Sequence, residues 1–187
     1  MNFFQKSFLV GVAFWLIFGV SSVFGAESYD IKQQDSKIAF YVKKLGFIGV
    51  SGEFKKFAGN LCLDKSTILA LEGVVELESV FSNSKGRDKH LKEKDFLDTA
   101  NFKQAHLKML NYETKEQKDN KILGTMRVVL DLHGVQKELE LTTELQNSQE
   151  LELILRGELN IKDFEIKGSA MNSNSVKLEF HTIWKAK

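Results

Sequence analysis

The stretch Gly86–Phe102, GRDKHLKEKDFLDTANF, decides how this chain reads, because the sequence on either side of it alternates and this piece does not. Its first part is dense in charge: Arg87, Asp88, Lys89, His90, Lys92, Glu93, Lys94 and Asp95. Its apolar residues, Leu91, Phe96, Leu97 and Phe102, keep neither a period of two nor a sustained helical stripe. Leu91 and Asp95 are four apart, which allows one or two helical turns with Leu91 and Phe96 or Leu97 pointing inward. A long non-strand connection inside a compact β domain is uncommon and is usually functional or well packed. The stretch therefore reads as a short helical or looped segment closing one end of a β-structure, its aromatics buried and its charges in water.

Around it, from residue 29 onward, a period of two dominates. Ile38, Phe40 and Val42 face one way, and Lys37, Tyr41 and Lys43 the other. Gly46, Gly49 and Gly52 punctuate a turn or bulged region before Phe54 to Leu63, and Leu71, Val75 and Leu77 alternate with Glu72, Val74 and Glu76. Beyond the central stretch, Leu107 and Met109 share a face, and Met126, Val128, Leu130 and Leu132 lie opposite Thr125, Arg127 and Asp131. Leu139, Leu141 and Leu145 oppose Glu138, Glu140 and Glu144. Leu151, Leu153, Leu155 and Leu159 oppose Glu152, Arg156 and Glu158. Val176, Leu178, Phe180 and Trp184 oppose Lys177, Glu179 and His181. Asp119-Asn120, His133-Gly134 and Asn147-Ser148 supply turns. One apolar and one polar face, repeated about eight times with hairpin-sized gaps, means antiparallel strands. With no proline in the chain, none needs to be demoted to an edge on that account.

Residues 1–26 read separately, as a secretory signal. Lys6 precedes an apolar run from Phe8 to Val20, and small residues follow up to Gly25-Ala26. Ser7 to Ala26 is also uncharged and just long enough to span a membrane, so a retained anchor is the competing reading. The glycines, the serine pair and the short apolar run favour cleavage, after Gly25 or Ala26. The absence of a cysteine there argues against a lipoprotein. Residues 27–187 then form one domain by length, large enough to bury a core. The leader holds one of the 26 basic residues and none of the 25 acidic ones, so the mature chain is formally neutral. That balance argues against a nucleic-acid partner, since phosphate binding needs a basic patch. Cys62 is the only cysteine, which leaves an exported domain without an internal disulfide. It shares its parity with Asn60 and Asp64 and reads as an outward or edge-covered thiol.

Several strands look about ten residues long, longer than is usual. Such strands suit a tilted barrel better than a two-sheet sandwich. The predicted fold is all-β, an antiparallel β-barrel of about eight strands with a short helical or loop segment near residues 86–102. Eight strands close around a lumen that side chains either fill or leave open for one small ligand. The predicted lumen is formed by Phe40, Val42, Phe47, Phe54, Phe57, Leu77, Leu91, Phe96, Phe102, Leu107, Met109, Val128, Leu130, Leu141, Leu153, Leu155, Phe164 and Phe180. Left open, it would accept an aliphatic chain and reject a sugar or nucleotide; filled, it is an ordinary β core. Burying a methylene stabilises by about 0.8 kcal/mol, so ~15 of them supply roughly 12 kcal/mol gross. Association costs of about 4–15 kcal/mol offset much of that.

The residues also carry a resemblance. Gly86-Arg87-Asp88-Lys89-His90-Leu91, followed by Asp95-Phe96-Leu97-Asp98, resembles the central signature of the YceI-like family. Leu45-Gly46-Phe47, with Gly52-Glu53-Phe54 and Gly59 to Asp64, looks like that family's first hairpin. Gly124 to Leu132 with His133-Gly134-Val135-Gln136-Lys137, the run Ile161 to Ile166 and the final strand also match, so the likeness covers about residues 29–185. It implies a lipocalin-like, periplasmic or secreted barrel, often a homodimer. It also implies an elongated apolar pocket for a polyisoprenoid, isoprenoid quinone or fatty-acid-derived lipid, held for transport or storage, and no other cofactor. The family's prolines near Phe102-Lys103 and near Lys137-Glu138 are missing, and Lys44 stands where many members carry a histidine. The connection at Asn147 to Glu150 looks shorter than usual, which predicts a more open barrel mouth there.

Arg87, Asp88 and His90, with Asp95 and Asp98, are the only cluster resembling a reactive site. Asp88 and His90 as metal ligands would need His106, His133 or His181 to join them, and those show no ligand spacing. No serine or cysteine nucleophile context accompanies the histidine. Arg87 and Asp88 read first as charge-assisted hydrogen bonds holding the loop to the barrel. Beside that role, Arg87, Asp88, His90 and Lys44 are candidates to touch a polar lipid head, with Asn111 and Tyr112 after them. A lipid-binding protein that is not an enzyme is the leading expectation. The alternatives are an enzyme acting on such a lipid through Arg87–Asp98, and a filled barrel serving protein contacts only.

Overall fold

A computed structural model describes residues 25–187 of the chain. The expected leader, apart from Gly25 and Ala26, lies outside the described residues. The strands are β1 (Ala26–Ile31), β2 (Lys37–Lys44), β3 (Ile48–Phe54), β4 (Phe57–Asp64), β5 (Thr67–Glu76), β6 (Val80–Phe81), β7 (Gln104–Lys118), β8 (Lys121–Leu132), β9 (Val135–Asn147), β10 (Leu151–Asn160) and β11 (Asn172–Ala186). A short helix, α1 (Lys85–Leu91), stands between β6 and β7. The strands form one 11-stranded antiparallel sheet in the order β1-β4-β5-β7-β8-β9-β10-β11-β2-β3-β6, and a further pairing of β1 with β11 closes it.

The closed barrel has eight strands because six of the eleven segments are halves of three bent strands. β1 and β2 lie one after the other along the same edge of β11: Ile31 faces Trp184 and Lys37 faces His181. β4 and β3 pair with them in the same order, and β5 and β6 continue the series. A bend interrupts the ladder and leaves backbone groups needing partners. At the first bend the Ser36 hydroxyl accepts from the Ile183 N–H at 2.8 Å, and the Lys32 N–H donates to the Ile183 carbonyl at 2.8 Å. At the second, the Ser79 hydroxyl accepts from the Lys56 N–H at 3.0 Å and donates to the Glu76 carbonyl at 2.6 Å. A serine side chain completes the ladder at each.

The alternation read from the sequence maps onto burial. In β8, Ile122, Met126, Val128 and Leu130 are buried while Lys121 and Arg127 face solvent. The hairpin between β8 and β9 turns at His133-Gly134, both at positive φ, 56° and 76°, a pair that matches the twist of a tight hairpin. Below the bends the barrel is filled. Leu61, Leu63, Ile68, Leu71, Met126, Val128, Leu141, Leu145, Leu151, Leu153 and Trp184 pack into one cluster. A second cluster, Leu130, Leu159, Phe164 and Ile166, sits under the 3-10 turn Ile161–Phe164.

The two halves predict different mutational costs. Leu153→Ala removes a fully buried side chain from the filled half and is expected to lower unfolding stability by ~2–5 kcal/mol. Leu178→Ala, on a wall that already faces open space, is expected to cost less than half as much. Denaturant titration of both variants measures the difference.

Candidate functional site

Above the filled half the inward faces no longer meet. They enclose a cavity of about 590 Å³, within the ~300–1,000 Å³ typical of small-molecule sites. Its walls come from β2 (Phe40, Val42), β3 (Val50, Phe54), β8 (Leu130, Leu132), β10 (Leu155, Leu159) and β11 (Val176, Leu178, Phe180). Ile38, Phe40, Val42 and Lys44 line it in succession along β2, a run of ~20 Å at the rise of a strand. Gly52 makes room for that wall, since a Cβ there would come within 2.3 Å of the Phe40 ring. The floor is Trp184, whose indole N–H donates to the Thr182 hydroxyl at 2.9 Å; Thr182 in turn donates to the Leu153 carbonyl at 2.6 Å. The Trp184 indole N–H and the Thr182 hydroxyl are thereby both paired, so the indole presents an apolar surface upward. Polar groups gather at the other end, where Lys44, Arg87, His90, Ser169, Asn172 and Ser173 reach the lining.

One side of this upper half has no continuous strand. β3 finds a partner in β6 only at Glu53 and Phe54. Between β3 and the start of β7 the wall is supplied by α1 and the turns after it, with Leu91, Phe96 and Leu97 on the cavity. Three sets of bonds hold this piece. Ser82, 6% exposed, donates its N–H to Asp88 Oδ1 at 2.7 Å and its hydroxyl to the same oxygen, while Arg87 Nε donates to the Ser82 hydroxyl at 2.8 Å. Glu78 accepts from Lys92 at 2.7 Å and from the Thr99 hydroxyl at 2.7 Å. The Gly168 N–H donates to the Asp95 carbonyl at 2.8 Å, tying the segment to the loop before β11. The Lys92 and Thr99 hydrogen bonds hold the Glu78 carboxyl below its usual range.

The description of a YceI-like domain matches residues 29–183. The chain belongs to this family. It is 30% identical over 174 residues to the protein YceI of Escherichia coli, covering 87% of this chain and 88% of that one. The fold resembles that of BcnA from Burkholderia cenocepacia, with a TM-score of 0.69, 18% identity, and 82% and 98% of the two chains covered. It also resembles a domain from Saccharophagus degradans described as polyisoprenoid binding and implicated in plant cell wall breakdown. There the TM-score is 0.67 and identity 16%, over 86% of this chain and 99% of that one.

In this YceI-like barrel Phe40, Val42, Phe54, Phe57, Leu77, Leu91, Phe96, Leu107, Leu130, Leu155 and Phe180 lie on the cavity, as do Lys44, Arg87 and His90. Other expectations are corrected. Phe47 is 79% exposed at the tip of the β2–β3 hairpin, where the alternation stops at a turn. Val128, Leu141 and Leu153 are sealed in the filled half with Met109 against them, and Phe164 belongs to the second cluster. Phe102 stacks on His133, ring centroids 4.4 Å apart, and covers Gly134 rather than the lumen. Asp88 is spent on Ser82 and does not reach the cavity. Asn111 and Tyr112 fall on β7 away from the mouth, with Tyr112 packed against the filled cluster. The Asn147–Glu150 connection lies beside Leu151 and Trp184 at the filled end, so it does not open the mouth.

Val176 and Leu178 on the cavity share Phe180's parity on one strand and were within reach of the periodicity. Ser169 and Met171 come from the loop before β11, and Ser173 from the irregular start of that strand, where there is no period to read. Of the four histidines, His90 and His106 are on the cavity lining, His90 also meeting Glu93 at 2.9 Å, while His181 pairs with Glu152 and His133 lies against Phe102. Among the described residues no three metal-ligating side chains gather.

Two tests address the wall segment. Asp88→Ala leaves the buried Ser82 groups without their acceptor and is expected to destabilise by ~1–3 kcal/mol, whereas Glu93→Ala on the solvent side changes stability little. Because the Glu78 pKa is depressed on folding, its contribution is complete above the ordinary carboxylate value of ~4.3 and is lost as pH falls through its lower folded value. Amides of Lys92 to Phe102 are expected to lose hydrogen-exchange protection in that acid window. Glu78→Gln, compared at each pH, should remove this dependence.

Proposed function

We propose that this protein binds one long-chain amphiphile, a polyisoprenoid, isoprenoid quinone or fatty-acid derivative, and acts as its carrier or reservoir rather than as an enzyme. The apolar cavity with a closed floor and a polar rim is the observation that carries this reading. The acyl or prenyl chain would lie along Phe40, Val42, Leu178 and Phe180 with its end on Trp184. Its head would sit among Lys44, Arg87 and His90 at the rim. The structural likeness to a domain described as polyisoprenoid binding supports the same ligand class. The N-terminal apolar run with small residues at its end supports export to the periplasm, where an amphiphile crossing water needs such a container.

Organic extraction of the natively purified protein, followed by mass spectrometry, is expected to recover a stoichiometric long-chain lipid. Phe40→Asp and Leu155→Asp each place a charge on the cavity wall and are expected to abolish its retention, measured on variants that circular dichroism shows to be folded. A folded wild-type protein that carries no lipid and takes up no added prenol would sink the reading.

A further inference from the structure

The mouth of the cavity carries a feature that neither packing nor turn chemistry explains. The β2–β3 hairpin turns through Leu45-Gly46, with the Phe47 N–H returning to the Lys44 carbonyl at 3.3 Å. Both central residues have positive φ, 52° at Leu45 and 78° at Gly46. Asn or Gly is at ease in the first of these positions and a bulky residue is not. Leu45 is nevertheless there, 53% exposed, beside Phe47 at 79%, Ile48 at 44% and Met171 at 54%. The Leu45 N–H donates to the Met171 carbonyl at 2.7 Å, so the four form one apolar crest. Met171 is also on the cavity lining, which makes the crest continuous with the opening.

The two chain segments that build the crest carry charge of one sign. From Ile38 to Gly52 the chain has Lys43 and Lys44 and no acidic residue; from Ile166 to Leu178 it has Lys167 and Lys177 and again none. Lys167 is paired with Asp95, but Lys43 and Lys44 form no ion pair among the described residues. This basic collar stands out in a chain that is otherwise balanced in charge. Four protruding apolar side chains are far fewer than the ~20–30 residues a side of a stable protein interface. An apolar tip ringed by cations instead fits an anionic bilayer, where the tip enters the head-group layer and the lysines meet phosphates.

We propose that the Leu45–Ile48 crest with Met171 docks the cavity mouth on an anionic lipid surface, so that the amphiphile passes between bilayer and barrel without crossing water. This rests on the lipid-binding reading above. Sedimentation with phosphatidylglycerol-containing and pure phosphatidylcholine vesicles, at low and high salt, tests it on the mature protein. Binding is expected to the anionic vesicles, weakened several-fold by salt. Leu45→Asn suits the turn better than the native residue, so loss of fold cannot account for its effect. It is expected to weaken vesicle binding about tenfold, and Phe47→Ser with Ile48→Ser, neither of which lines the cavity, more, while prenol retention by the loaded protein is unchanged. Lipid retained in the barrel with no vesicle binding overturns the docking surface and leaves the carrier reading standing. A Leu45→Asn variant that instead dissociates a dimer assigns the crest to a second copy and also overturns it. Absence of retained lipid with vesicle binding intact sinks the carrier reading alone.

Discussion

Closure of the ladder on β11 is the constraint from which the rest follows. This strand pairs along one edge with β10 from Ser175 to Trp184 and along the other with β2 and then β1. An open sheet of such alternating strands would expose two rows of unpaired amides and carbonyls and invite aggregation. Closing it satisfies those groups and forces every inward side chain into one lumen. The bends at residues 32–36 and 55–56 keep closure compatible with a barrel that is narrow at one end and wide at the other, and the hydroxyls of Ser36 and Ser79 keep the ladder satisfied through them.

Which half is filled follows from what crosses the lumen. At the narrow end, leucines of β4, β5, β9 and β10 reach one another and Trp184 caps them. At the wide end, β2 and β3 stand on the far side of the bends, and their aromatics line a space instead of crossing it. The hydrogen-bonded segment from Ser82 to Lys103 replaces the strand that β3 lacks as a neighbour. Arg87 and Asp88 thus serve first to keep the cavity walled.

The charged side chains do little for stability by comparison. Pairs such as Arg156–Glu179 and Lys108–Glu72 lie on the solvent face with both partners substantially exposed, where such contacts are worth ~0–1 kcal/mol. The filled half carries the fold, which leaves the upper half free to remain open.

Strand identity, antiparallel pairing and the turn at His133-Gly134 were legible in the residues, because a period of two and turn chemistry are local. The non-strand character of Gly86–Phe102 was equally plain, and α1 with its inward Leu91, Phe96 and Leu97 follows from it. Whether facing apolar side chains meet or stand apart was not legible. Leu153 and Leu178 sit on inward faces of neighbouring strands and are chemically identical, yet Leu153 is sealed among its neighbours while Leu178 lines the cavity. Phe47 continues an apolar pattern and ends in solvent at a turn. Alternation determines which face a residue takes; the distance to the opposite wall depends on strand bends and closure, and only the assembled barrel sets it.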